Sequence, residues 1–91
     1  MLRANQNDPI ALALAAMTAT LGDERRAQRF IGLTGIGTGG LRARAAEPAL
    51  LAALLRFLEA HEPDLLSVSS ELGVKPEELV EARRQLEGNE E

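Results

Sequence analysis

The chain has 91 residues, enough for one domain and too few for two. Hydrophobic residues make up 45% of it, but Phe30 and Phe57 are the only aromatics, so the core has to be built from Leu, Ile, Val, Met and Ala. The absence of cysteine excludes disulfides and thiolate metal sites. The longest apolar stretches, 10–17 and 49–55, fall far short of the roughly 20 residues that cross a bilayer.

The net charge of −4 is unevenly spread. Residues 1–22 balance at 0, residues 23–56 carry +3 and residues 57–91 carry −7. Such a split reads either as a solvated helical surface or as a basic middle that faces an acidic partner; the solvated surface is the favoured reading. Arg3 precedes a polar run at 5–8 and Pro9, which is not a signal-peptide pattern, so a cytoplasmic protein is expected.

Proline and glycine mark the elements. Proline at 9, 48, 63 and 76 opens apolar-periodic runs, where its missing N–H has no intrahelical partner to lose. Glycine at 22, 35, 73 and 88 follows such runs, where a left-handed residue ends a helix cheaply. Residues 1–7 are expected to be a flexible N-terminus. A first helix is predicted over 8–20, with Ile10, Leu14, Met17 and Leu21 as its apolar stripe. A second covers 23–33, capped by Asp23, with Ala27, Phe30 and Ile31 inward and Arg25, Arg26 and Arg29 outward.

A short third helix is predicted over 41–45, after Gly40. The fourth covers 48–61, and between Ala49 and Leu58 its only polar residue is Arg56. A helix apolar on nearly every side must be covered on every side. This segment is therefore expected to be the central helix, and a homodimer is expected if the other helices leave it uncovered. Fifth and sixth helices are predicted over 63–72 and 76–86, and residues 87–91 as a disordered acidic tail. No alternating strand pattern is present, so the fold class is all-α: five or six short helices around a buried central one, forming a single domain over 8–86.

Three strings carry candidate chemistry. The first, 35–40, fits G-x-G-x-x-G, but a helix and not a strand precedes it, which argues against a dinucleotide site. The same glycines, Gly35, Gly37, Gly39 and Gly40, better fit a helix-hairpin-helix turn, with Leu33 and Thr34 before Gly35, Ile36 between Gly35 and Gly37, and Arg42 and Arg44 beyond. Its chemistry would be phosphate binding by turn N–H groups and arginines over 34–44. The plainer reading is a capping glycine, Gly35, with Ile36 tucked into the core.

The second string, 65–85, fits a helix-turn-helix template with Ser69 at the crossing, Gly73 in the turn and Val68, Leu72, Val74, Leu79 and Ala82 buried. Glu77 and Glu78 at the start of its second helix would repel a phosphate backbone, so it reads as a packing unit. In the third, His61 is the single histidine, and Glu59, two residues away, does not share its helix face. Ser67, Ser69 and Ser70 have no visible activating base. No nucleophile, metal set or cofactor motif emerges, so no enzyme activity, cofactor or metal is expected.

Residues 28–35, 41–48 and 72–77, taken in order, resemble a family of short bacterial proteins catalogued as domain of unknown function three-five-seven-two. The resemblance covers about residues 9–86. It implies a small helical protein with no assigned activity and hence no functional residues to carry over. It also implies that glycine is not required at the position of Gly37, which counts against the helix-hairpin-helix. The expected function is a non-enzymatic interaction module that binds itself or a protein partner. Its candidate surface is Arg25, Arg26, Arg29, Arg42 and Arg44, or the acidic C-terminal helices. The alternative is a nucleic-acid-binding module acting through residues 34–44.

Overall fold

The computed structural model describes residues 8–88 and contains six helices there. They are α1 (Pro9–Leu21), α2 (Glu24–Thr34), α3 (Thr38–Ala43), α4 (Pro48–Glu59), α5 (Glu62–Leu72) and α6 (Pro76–Gly88). No strand occurs among the described residues, so the fold is all-α.

The starts of the helices follow from local chemistry. Asp8 caps α1 by accepting from the N–H groups of Ile10 (3.0 Å) and Ala11 (3.2 Å). Asp23 caps α2 through the Arg26 N–H (3.1 Å). Each satisfies a donor that the helix itself leaves without a partner. At α6 the Glu78 carboxylate reaches back to the Lys75 N–H (2.7 Å), half of a capping box.

The ends divide into two kinds. Gly35 and Gly73 adopt left-handed backbone, at φ +72° and +71°, as the glycine spacing predicts. Gly22 and Gly88 do not behave that way. Gly22 is right-handed, at φ −75°, because the chain turns at once into the Asp23 cap. Gly88 lies inside α6, which continues past the expected end at 86. Likewise α3 begins at Thr38, so Gly39 and Gly40 are helical and do not precede the helix. The fourth helix ends at Glu59, and His61 serves as the backbone N-cap of α5 without a side-chain capping bond.

The central helix is α4. Leu50, Leu51, Ala52, Leu54, Leu55, Phe57 and Leu58 are buried, mainly against α6, α1 and α5. Only Ala49, Ala53 and Arg56 stay open within it. The chain covers its own central helix, so α4 gives no argument for a second subunit. From α6, Leu79, Ala82 and Leu86 enter the core; from α5, Val68 and Ser69 do, with Val74 in the turn. The helix-turn-helix positions therefore do act as packing positions, with Leu72 half-buried. The Ser69 hydroxyl donates to the Leu65 carbonyl (2.6 Å), which lets a polar group sit at the crossing.

Two expectations fail on α1 and α6. The buried face of α1 is Leu12, Ala13, Ala16, Met17 and Thr20, not the stripe through Ile10, Leu14 and Leu21. Ala13 and Ala16 put little bulk between α1 and the leucine-rich α4 and α6, and Thr20 satisfies its hydroxyl on the Ala16 carbonyl (2.8 Å). Ile10 is exposed, and Leu14 and Leu21 are half-buried. At the other terminus, Glu87 is not tail: it is helical and bonds Arg56 of α4 (2.5 Å) and Arg83 of α6 (2.8 Å). Segment 1–7 and residues 89–91, expected to be flexible, lie outside the described residues.

Candidate interaction surface

The five candidate arginines fall into three settings. Arg26 is not outward: its side chain is 11% exposed and reaches across to α5. It donates to Glu71 (2.9 Å) and to the Ala19 carbonyl (3.2 Å), and lies 3.8 Å from Asp64. Arg29, half exposed, also pairs with Asp64 and stands 5.9 Å from the centre of the Phe57 ring. Asp64 is buried and faces both guanidinium groups, which take the place of water beside its carboxyl group. These two arginines fasten α2 to α5. They do so beside Phe30, fully buried and edge-on to Phe57 at 5.2 Å.

Arg44 is exposed and donates to Glu47 three residues on (3.0 Å). Arg25 and Arg42 are exposed and make no ion pair among the described residues. Arg25 shares a shallow open concavity with Gln28 and Arg29. Arg42 belongs to a different feature.

That feature is an apolar groove of about 190 Å³ between the second half of α1 and α3. Leu14, Met17 and Leu21 form one wall with Thr18 between them; Leu41, Ala45 and Arg42 form the other. Leu41 is fully buried and Met17 nearly so, which makes them the floor. Leu14, Leu21 and Ala45 touch the core on one side and remain partly open on the other. The α1 wall is therefore largely the stripe that periodicity picked as core.

The turn from α2 into α3 holds the second wall. Thr34 donates to the Phe30 carbonyl (2.9 Å) and accepts from the Ile36 N–H (3.2 Å), closing the end of α2. A methyl group on Gly40 would sit 2.8 Å from Ile36 Cγ2, so glycine there is what lets Ile36 lie on α3. Of the four candidate glycines, Gly35 is a capping residue and Gly40 a packing residue, while Gly37 is the extended N-cap of α3. That follows the capping-and-core reading of this turn.

Elsewhere the charges are structural. Arg83 bonds Glu59 (2.5 Å) and Glu87, and those bonds hold its pKa above the usual guanidinium value against the opposing effect of burial. Burial pushes the Glu87 carboxyl up, but the bonds and charges of Arg56 and Arg83 outweigh it and leave the pKa lowered. The Arg26 N–H holds Asp23 below its usual range. The i,i+4 spacing of Arg83 and Glu87 is a sequence signal for the second of these bonds; the pairing of Arg26 with Glu71, 45 residues apart, has none.

Among the described residues, no group of three or more His, Cys, Asp or Glu is placed to hold a metal ion, and no helix is long and apolar enough to cross a membrane.

Among the described residues, this architecture is a six-helix all-α arrangement with an open apolar groove. A family model described as "Protein of unknown function (DUF3572)" matches residues 6–89, nearly the whole chain, and the protein belongs to that family. No curated protein and no solved structure matches it.

Proposed function

We propose that the protein is a non-enzymatic, cytoplasmic interaction module that docks another polypeptide in the groove between α1 and α3. One observation carries the reading. Helix α1 packs against α6, α4, α5 and α2, yet Leu14 and Leu21 stay half-buried and line a groove floored by Met17 and Leu41. Apolar side chains left along an open concavity are the usual mark of a docking surface. The volume supports a side-chain ligand: about 190 Å³ is below the range of roughly 300–1,000 Å³ typical for small-molecule and cofactor sites.

A photo-crosslinking residue at Thr18, exposed at the groove, tests this in cells. A discrete adduct from position 18, absent when the same residue replaces Gln85 on α6, is the expected result. Adducts from 85 alone, or none from 18, would overturn the assignment.

Nucleic-acid binding through residues 34–44 is the second reading. It is favoured by Arg42, which makes no ion pair among the described residues and lies just beyond the glycine turn. Fluorescence anisotropy of labelled DNA and RNA at low salt tests it, since phosphate contacts weaken steeply as salt rises.

A further inference from the structure

We infer that the groove between α1 and α3 selects an acidic amphipathic helix: a segment of another protein that inserts leucine-sized side chains and sets a carboxylate against Arg42. The inference rests on the docking function proposed above and adds the chemistry of the partner.

Its first support is electrostatic. From Pro9 to Leu21, α1 carries no charged residue at all. Among the residues lining the groove, Arg42 alone is charged. Arg42 also makes no ion pair among the described residues, whereas the neighbouring Arg44 is engaged by Glu47 and the inner Arg26 by Glu71 and Asp64. Among the described residues, the groove thus sets one guanidinium without an ionic partner beside uncharged walls. A carboxylate is its complement, and the planar fork of Arg binds a carboxylate with two parallel bonds.

Size and shape give the second support. The space admits roughly one or two aliphatic side chains, far less than a cofactor needs. Leu14, Met17 and Leu21 follow one another at helical spacing along one wall, so a groove edge runs parallel to the α1 axis. An amphipathic helix presents apolar side chains one turn apart and meets such an edge along its length. A glutamate beside its apolar stripe reaches Arg42 at the rim, where charge governs orientation and choice of partner more than raw affinity.

The test uses the purified full chain with its Leu and Met methyl groups labelled for NMR. The probes are three 12-residue helical peptides with two leucines one turn apart, flanked by glutamates, by glutamines or by lysines. The glutamate peptide is expected to shift the methyl signals of Leu14, Met17, Leu21 and Leu41. It should bind roughly threefold to fivefold more tightly than the glutamine peptide, the size of one solvent-exposed ion pair, and the lysine peptide should bind most weakly. Arg42→Gln is expected to erase the preference and Arg42→Glu to invert it. An unchanged amide spectrum for both variants separates loss of charge from loss of fold.

Equal binding of all three peptides at the groove would overturn the charge selection and leave the docking function standing. Shifts confined to other surfaces, or none, would overturn the inference, and crosslinking from Thr18 then decides the docking function separately. Groove signals that move on dilution without peptide would show a second copy as the occupant and overturn it as well.

Discussion

Helices α1 and α4 are the two apolar helices of this protein, and the domain treats them differently. In α4 seven of twelve residues are buried, with neighbours around most of its circumference. Its open stripe, Ala49 and Ala53, is small and is flanked by the pair of Arg56 and Glu87. Helix α1 presents two apolar faces, of which the core takes the one rich in alanine. Leu12 and Met17 are buried with the alanines, while Leu14 and Leu21 are left partly open. A uniformly apolar helix can thus be a hub of the core or half of a binding groove. What separates the two is where the neighbours close: α3, six residues long, leaves a gap over the Leu14 and Leu21 side of α1.

The comparison is broken most directly by truncating side chains on both sides of it. Leu55→Ala, in the fully buried heart of α4, should lower stability by about 2–5 kcal/mol in urea denaturation. Leu14→Ala in the groove should cost less than about 1.5 kcal/mol while weakening peptide binding, because its outer half faces open space. Equal losses would make the outer face of α1 part of the core.

Asp64→Asn sharpens the contrast at the next level. It leaves Arg26 and Arg29 without their shared carboxylate between α2 and α5, and should cost about 1–3 kcal/mol. Hydrogen exchange should quicken in α2 before it does in α4. Gly35→Ala, which forces a side chain into left-handed backbone, should cost about 1–2 kcal/mol by the same denaturation measurement.

Acid should loosen the charged clasps before the apolar hub. Asp23 and Glu87 both have folded-state pKa values below their ordinary ones of 3.8 and 4.5. A lowered carboxyl pKa adds stability that is present above the ordinary value and is lost as pH falls through the folded one. Melting temperature should therefore hold from neutral pH to about 5 and drop below about pH 4. Glu87→Gln should remove part of that drop. A profile that is flat down to pH 2 would show that neither clasp contributes. The smallest effect is expected from Arg42→Glu, within about 0.5 kcal/mol of the parent in stability, since this exposed arginine makes no ion pair among the described residues.

The legible parts of the sequence were local. Asp23 before its helix, proline at the starts, and Gly35 and Gly73 at two of the ends mark elements because a cap acts within four residues of itself; Asp8, read as the first helical residue, proves to be a cap as well. The all-α class followed from periodicity, the central position of the fourth helix from its nearly unbroken apolar run, and the packing role of Val68, Ser69, Val74, Leu79 and Ala82 from the helix-turn-helix template. The membership in the family of unknown function was legible from three ordered strings.

Only the tertiary structure decided which face of α1 is buried, that Arg26 turns inward to α5, that Glu87 belongs to α6, and that Arg42 stands beside a groove with no ion pair among the described residues. Each of these depends on residues distant in sequence. A stripe on one helix states how much apolar surface needs cover. Which stripe receives it is settled by the bulk and approach of the neighbouring helices, and the periodicity of a single segment carries no information about those.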